Sequence, residues 1–213
     1  MIPTEGACGF CTEAVSGEVD SRFEAAIGRR SRTLLQFTSL YVVPTISPIV
    51  ANHILLIPRK HVTSRPQLSA AEQEAVTSAE GDLRRLLAAP NRSIVSFEHG
   101  IGEGLHGGCG VSHFHVHMMP LEHDIAALAL KLLRNSPLGS FTDDLIQLQP
   151  RDSYVYMRTD GDGASAATIR KGEFPSQYLR NLVEEAAGID RTNWRDIVRS
   201  ELLEETLVAP QWT

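Results

Sequence analysis

Three of the chain's eight histidines alternate with apolar residues in the stretch from Ser112 to Pro120, at positions His113, His115 and His117. Because successive side chains of a strand point to opposite faces, this spacing predicts a β-strand with the imidazoles on one face. Pro120 has no N–H to donate, so we expect the strand to end there. The row could ligate a metal, or supply a nucleophile and acid–base groups around a phosphate. The alternative is an ordinary strand whose polar histidines face solvent and have no role in binding or catalysis.

A loop with six glycines, residues 99–110, leads directly into the histidines. Glycines let a backbone approach a ligand closely and leave N–H groups available to an anion. Alone, such a loop would be a flexible connection, but its position favours a phosphate-binding role. We therefore expect substrate contacts from Gly107, Gly108, Gly110 and Ser112, and from Glu98 and His99 at the start of the loop.

Two of the three cysteines form a Cys8-Gly9-Phe10-Cys11 pair. Such a pair is a redox couple, half of a zinc site, or chance. No βαβ pattern surrounds it, which argues against a thioredoxin-like role. A closed zinc site needs two more ligands, and these can come from distant parts of the chain.

The 213 residues carry a formal net charge of -6, with 42% hydrophobic and 22% charged residues. This composition is typical of a globular protein and argues against a broad nucleic-acid-binding surface. There is no apolar run of the roughly 20 residues that a membrane span needs, and no signal segment opens the chain. We expect a cytoplasmic protein.

The fold predicted from apolar patterning is α+β, an antiparallel sheet of about five strands with packed helices. Strands are expected over 33–37, 40–43, 53–58, 93–98 and 154–157. Helices are expected over 69–87, where Ser69 and Glu72 form a capping box, and over 121–133, 177–187 and 192–207. We divide the chain into a domain at 1–134 and a mainly helical C-terminal extension at 135–213, packed on it.

The alternating histidines resemble the signature of the histidine triad (HIT) superfamily of nucleotide-binding proteins. The run from Ser47 to His61 also resembles the segment that lines the nucleotide site in that family, which implies substrate contacts from Asn52 and His53. Asn52 replaces a usual glycine, and Asn tolerates the same left-handed backbone. Thr45 stands where many relatives place a ribose-binding acid. The resemblance covers roughly residues 8–123.

The resemblance implies that His115 attacks the α-phosphorus of a nucleotide to give a covalent nucleotidyl-histidine, with His117 contacting phosphate oxygens or the leaving group. In the zinc-containing branch of the family, the first triad histidine ligates zinc with a CxxC pair and one further histidine. The matching residues are Cys8, Cys11, His61 and His113. Such a site is structural, because it leaves no open position for a reacting water. The family also implies a homodimer.

A second candidate anion site lies in the C-terminal extension. Ser176 is a good N-cap, so Gln177 would begin a helix whose first N–H groups lack internal partners. Arg180, one turn into this helix, can form a forked pair of hydrogen bonds with phosphate. A plain capped surface helix is the competing interpretation. The hypothesis is that this helix start contacts the distal part of the substrate.

Three functions therefore remain open. The first is a hydrolase or nucleotidyl transferase acting on a dinucleoside polyphosphate or a nucleoside 5′-phosphate conjugate. The second is a nucleotide-binding sensor or adaptor with little turnover. The third is a metal-dependent hydrolase with all three histidines on one metal, which the possible use of His113 by the cysteine pair argues against. The partner expected in each case is a small nucleotide, with no nucleic acid and no membrane.

Overall fold

The computed structural model describes residues 8–105, 111–142, 144–161, 164–191 and 193–212. Within these residues, eight strands form one antiparallel sheet: β1 (Leu35–Gln36), β2 (Leu40–Pro44), β3 (Ile54–Pro58), β4 (Arg92–Gly100), β5 (Val116–Glu122), β6 (Ser140–Thr142), β7 (Tyr154–Gly161) and β8 (Ala164–Lys171). Their order across the sheet is β1-β2-β3-β5-β4-β7-β8-β6.

Six α-helices accompany the sheet in the described ranges: α1 (Gly9–Ser16), α2 (Ser21–Ile27), α3 (Ala70–Leu87), α4 (His123–Arg134), α5 (Tyr178–Ala186) and α6 (Ser200–Leu207). The predicted capping box opens α3, since the Ser69 side chain accepts from the Glu72 N–H and the Glu72 carboxylate accepts from the Ser69 N–H. Across those same ranges, no helix combines the length and the apolar character needed to span a membrane.

The two faces of the central strands pack on different helices. Val42, Leu56 and Val116 lie in one buried cluster with the apolar side of α3. Their neighbours Val43 and Leu55 point the other way and pack in a second cluster with α1. This division follows from the two-residue period of a strand, and it explains why β2 and β3 are buried along their whole length.

Helices α4 and α5 cover the same face as α1, farther along the sheet. There Phe97 and Met119 pack with Leu130 of α4 and Val183 of α5. His117 pairs in register with Leu55 of β3 and with Phe97 of β4, so it lies on this face between the part covered by α1 and the part covered by α5. The histidine row therefore faces a space with a helix on either side.

The predicted triad strand is displaced toward the C-terminus. It begins at Val116, so His113 and His115 precede it, and it continues through Pro120 to Glu122. The prediction that Pro120 ends the strand is wrong. Pairing with β3 reaches only Met118, so the proline lies where the strand has a single neighbour, a position at which a missing N–H is tolerated.

The sheet is larger than predicted, because residues 135–213 contribute β6 and β8 besides the predicted strand β7, and they are not mainly helical. Strand β7 pairs with β4 over seven residues, from Ile94↔Asp160 to Gly100↔Tyr154, so the sheet crosses the predicted domain boundary. The division at residue 134 remains a prediction. Helix 192–207 is shorter than expected, since α6 begins at Ser200. The N-cap of α5 is Gln177, at φ 63°, and not Ser176.

Candidate active site and metal centre

The predicted metal ligands lie together. Cys8 and Cys11 come from the start of α1, His61 follows β3, and His113 precedes β5. One ligand atom from each of the four lies within 4.8 Å of the others. The four residues are up to 105 positions apart in sequence, and the sheet brings them to one point by placing β3 beside β5 and α1 above both.

Hydrogen bonding at His113 suits metal binding. Its Nε2–H donates to the Pro58 carbonyl at 2.8 Å, which leaves the Nδ1 lone pair directed at the cysteines. Nδ1 lies 3.4 Å from Cys8 Sγ and 3.5 Å from Cys11 Sγ, while His61 Nδ1 lies 3.2 Å from Cys11 Sγ. Two thiols and two imidazole nitrogens at these separations could hold one metal ion in a closed tetrahedral site.

A chain of hydrogen bonds fixes the protons on the neighbouring histidines. The Ile49 N–H donates to His53 Nδ1 at 3.1 Å, so the proton of that ring lies on Nε2. His53 Nε2–H donates to His117 Nδ1 at 2.9 Å, which in turn puts the His117 proton on Nε2. His117 Nε2 lies 3.1 Å from His115 Nε2, and His115 Nδ1–H donates to the His113 carbonyl at 2.7 Å. His115 Nε2 therefore carries a lone pair, with the His117 N–H beside it.

Burial keeps these rings neutral. Loss of solvent is the largest cause that lowers the pKa of His115, and it lowers the pKa of His117 and His53 further. Ring contacts also hold their orientation: His117 stacks on Phe97 at 4.5 Å, and Phe10 of α1 meets His115 edge-on at 5.3 Å. The unprotonated nitrogen of His115 is thus both oriented and available as a nucleophile at neutral pH.

A cavity of about 590 Å³ opens over His115 and His117. Its volume lies within the range of about 300–1,000 Å³ that small-molecule sites occupy. One wall comes from the N-terminal region and includes Phe10, and the other comes from the extension and includes Arg180. The cavity combines apolar surface with buried charge, as small-molecule sites commonly do.

Several predicted substrate contacts line this cavity. Ser112, Gln177 and Arg180 do so together with His115 and His117. Thr45, at the position of the family's ribose-binding acid, also lines it. The start of α5 thus lies beside the triad histidines, as the hypothesis for Arg180 requires. The predicted contacts Gly107, Gly108 and Gly110 lie outside the described residues.

Four other predicted contacts do not line the cavity. The Glu98 carboxylate is fully buried and is used inside the core, where it accepts from Arg65 at 2.6 Å and from the Tyr154 hydroxyl. A carboxylate with these partners is a structural ion pair, so its expected role at the substrate is corrected. His53 acts through His117 and does not face the cavity.

Asn52 and His99 are the other two. Asn52 has the predicted left-handed backbone, at φ 60°, but its side-chain oxygen accepts from Gln211 and Trp212 at the C-terminus. His99 packs edge-on against Phe174, and burial lowers its pKa to about 4. Both side chains are engaged with the extension, which the family signature does not cover.

The sequence did not reveal two features of the cavity wall. Arg32 and Glu13 form a buried pair with both guanidinium–carboxylate distances at 2.8 Å, and Arg32 also donates to the Pro44 carbonyl. The two charges are nineteen positions apart in the sequence, so no local pattern links them. Trp194 also lines the cavity, and it lies in the stretch 192–207 that the sequence predicted as a helix.

Comparison with known proteins agrees with this architecture. Residues 29–124 match the family model of the HIT domain. CWF19-like protein 1 from Pongo abelii is 24% identical over 216 residues, and the match covers 94% of this chain and 36% of that protein. The chain thus spans about a third of the length of the curated relative it matches.

Among solved structures, a histidine triad protein from Clostridium difficile is 20% identical with a TM-score of 0.38, over 55% of this chain and 91% of that one. Yeast Ap4A phosphorylase in complex with AMP is 12% identical with a TM-score of 0.41, over 84% of this chain and 76% of that one. The family match rests on the residues 29–124 that hold His53, His61 and the alternating histidines. Over these residues the chain is similar to the HIT domain.

Proposed function

We propose that the chain is a HIT-type nucleotide hydrolase or nucleotidyl transferase. It acts at the α-phosphate of a dinucleoside polyphosphate or nucleoside 5′-phosphate conjugate. The observation that carries the proposal is the hydrogen-bond chain from Ile49 through His53 and His117 to His115, which ends at an imidazole lone pair in a nucleotide-sized cavity. An oriented neutral imidazole, held by an acceptor at its other nitrogen, is the arrangement that nucleophilic catalysis requires.

In the first step, His115 Nε2 forms a bond to the α-phosphorus and the bond from phosphorus to the leaving oxygen breaks. The His115 ring gains positive charge, which its Nδ1–H shares with the His113 carbonyl. His117 Nε2–H, beside the reacting nitrogen, donates a hydrogen bond to the leaving oxygen, which departs as a phosphate anion. In the second step, water or another acceptor attacks the phosphorus. The bond from phosphorus to His115 Nε2 breaks, its electron pair returns to the ring, the proton of the acceptor passes to solvent, and the nucleotide is released.

Arg180 and Gln177 are proposed to bind the phosphate chain beyond the α-phosphorus. Both lie in the cavity wall next to the histidines, and Arg180 is 3% exposed. A guanidinium in a low-dielectric site stabilises phosphate charge more strongly than one in water. Ser112, immediately before the triad, is proposed to bind phosphate oxygens at the end of the phosphate chain opposite to Arg180 and Gln177.

Zinc is proposed to occupy the Cys8, Cys11, His61 and His113 site, where it would hold the start of α1 against the sheet. That helix carries Phe10 and Glu13 into the cavity wall, and Cys8 lines the same cavity, so the cluster would shape the site. Since His113 is directed at the cysteines, the three triad histidines do not converge on one catalytic metal. The homodimer and the cytoplasmic location remain predictions.

A covalent adduct provides the test. The protein is mixed with diadenosine tetraphosphate (Ap4A), quenched within one turnover, digested and analysed by mass spectrometry. We expect a peptide carrying one adenylate on His115, and its absence from His115→Ala. The His123→Ala variant, which changes a histidine bonded to Ser93 outside the cavity lining, should still form the adduct. Turnover without an adduct in the wild-type protein would rule out the covalent route, and nucleotide binding without turnover would favour the sensor.

A further inference from the structure

Glu13 lies in the wall of the cavity over His115, in a stretch of the chain that precedes the residues matched by the HIT family model. We infer that its carboxylate accepts hydrogen bonds from the ribose hydroxyls of the nucleotide whose α-phosphorus is attacked by His115. The inference rests on the proposed function and narrows it, because the group transferred is then a ribonucleotide. A 2′-deoxyribonucleotide lacks one of the two hydroxyls that the carboxylate binds.

The Glu13 carboxylate has acceptor positions that the protein leaves open. Its two oxygens each accept one hydrogen bond at 2.8 Å, from Nε and Nη2 of Arg32, and no other donor among the described residues reaches them. An ionised carboxylate offers about four lone-pair sites, so about two remain. Glu98 provides the contrast, because its carboxylate accepts from Arg65 on both oxygens and also from Tyr154, and it does not line the cavity.

These open positions select the part of the substrate that binds there. An ionised carboxylate has no proton to donate, so it cannot hydrogen-bond a phosphate oxygen, and its partner must carry donors. In a nucleotide, the sugar is the first unit beyond the α-phosphorus that carries such donors. Its 2′- and 3′-hydroxyls are neighbours, and two neighbouring donors match the two remaining acceptor positions. Hydrogen bonds to a charged acceptor are also stronger than those between neutral groups.

Ring contacts connect this carboxylate with the reactive histidine. Phe10 lies edge-on to the His115 ring at 5.3 Å, and the Arg32 guanidinium lies 6.0 Å from the centre of the same Phe10 ring. Glu13 follows Phe10 by three residues in α1, so the two side chains lie on the same side of that helix, about one turn apart. One aromatic ring and one helical turn therefore separate the carboxylate from His115, a gap that a ribose attached to the phosphorus can bridge.

The carboxylate is held in place before a ligand arrives. Two guanidinium contacts fix its plane, and Arg32 also donates to the Pro44 carbonyl at 2.7 Å, which ties α1 to the end of β2. The side chains of Glu13 and Arg32 are only 5% and 4% exposed, so bulk water competes little for the remaining lone pairs. An acceptor that is oriented in advance loses little entropy when it binds a hydroxyl. Arg32 is thus a positioning residue that acts on the sugar through Glu13.

The first test changes the ligand and leaves the protein intact. AMP, GMP and their 2′-deoxy forms are titrated into the wild-type protein by calorimetry, because these monophosphates have no leaving group and bind without turnover. We expect removal of the 2′-hydroxyl to weaken binding about tenfold with either base, as loss of one hydrogen bond to a charged group predicts. Equal binding of the ribo and deoxy forms would overturn the inference while the proposed function stands. Failure of both AMP and GMP to bind would remove both.

A double variant assigns the effect to Glu13. Glu13→Met combined with Arg32→Met removes both charges of the buried pair, and replacing such a pair by apolar side chains often leaves stability unchanged. We expect the affinity ratio of AMP to 2′-deoxy-AMP to fall from about tenfold to within about twofold, because the charged acceptor is gone. The ratio of AMP to GMP should stay the same, since the carboxylate binds the sugar and not the base.

A single substitution in the same wall is the matched control. Glu18 is an exposed carboxylate that also lines the cavity, so Glu18→Gln should keep the tenfold ratio. Thermal unfolding checks that the double variant is folded. If it is not, Glu13→Gln replaces it, and the one acceptor oxygen that remains should give a ratio of about threefold. A full tenfold ratio in the folded Glu13 variant, or its loss in Glu18→Gln, would overturn the inference.

Discussion

Two groups of histidines lie side by side in this protein and use the same residue type for different purposes. His61 and His113 turn their Nδ1 atoms toward two thiols, in a cluster of four residues that could hold a metal ion. His115 and His117 turn theirs to a backbone carbonyl and to another imidazole, which leaves Nε2 of each ring beside the cavity. The partner of Nδ1 therefore decides whether an imidazole anchors structure or supports chemistry.

The comparison predicts that variants of the two groups fail in different ways. The largest effect should come from His115→Ala, because it removes the nucleophile. We expect kcat/KM for Ap4A to fall by at least about 10⁴-fold, since residues that act as a unit lose most of the rate together. The melting temperature should stay close to that of the wild-type protein. Steady-state kinetics and thermal unfolding of the same samples test this, and a rate within tenfold of wild type would contradict it.

Cys8→Ser should produce the opposite result, with loss of structure leading to loss of activity. We expect about one zinc per chain in the wild-type protein and less than a third of that in the variant. Metal-binding free energy contributes to folding, so the free energy of unfolding should fall by several kcal/mol. Metal analysis and urea unfolding provide the measurements. Cys109→Ser, which changes the third cysteine, is the matched control and should retain its zinc.

His53 sharpens the comparison, because it affects chemistry only through His117. We expect His53→Leu to lower kcat by about 100-fold with little change in KM, as misplacement of an acid–base group by about 1 Å does. His53→Gln, whose side-chain amide can again donate to His117 Nδ1, should recover part of the loss. The split between kcat and KM separates this positioning role from simple unfolding. An equal loss in both variants would argue against the hydrogen-bond chain.

The sequence predicted the two histidine groups better than it predicted their surroundings. Apolar alternation located β2, β3 and β4, and the family resemblance named the four residues of the cluster. Apolar patterning did not indicate β8, because Ala166, Ala167 and Thr168 give little apolar contrast between the two faces of that strand. Nor could it pair Arg32 with Glu13, because contacts between distant positions are set by packing and leave no local pattern.

The Arg180→Ala variant tests whether the C-terminal extension contributes to the site formed by His115 and His117. Arg180→Ala should lower kcat/KM for Ap4A by about tenfold more than for a small ester of AMP, because interactions with a remote phosphate are used in the transition state. The Glu184 carboxylate lies 3.0 Å from Arg180 and 4.0 Å from Arg199, so part of its ionic surroundings remains in the variant. Competition kinetics with both substrates gives the ratio directly. An equal loss of kcat/KM on both substrates would show that Arg180 does not bind the distal part of the substrate.

The smallest effect concerns His99, which belongs to neither group. Burial lowers its pKa from 6.5 to about 4, and its Nδ1 has no hydrogen-bond partner among the described residues. The folded protein therefore keeps this ring neutral, while the unfolded chain takes up a proton as the pH falls through 6.5. Because the unfolded state then binds more protons, the free energy of unfolding should decrease between pH 6.5 and 4, by at most about 3 kcal/mol from this residue. Urea unfolding at saturating zinc should show a shallower acid slope for His99→Gln than for the wild-type protein. If the two acid slopes coincide, the His99 ring is protonated in the folded state. Burial then does not keep this ring neutral, and the prediction is wrong.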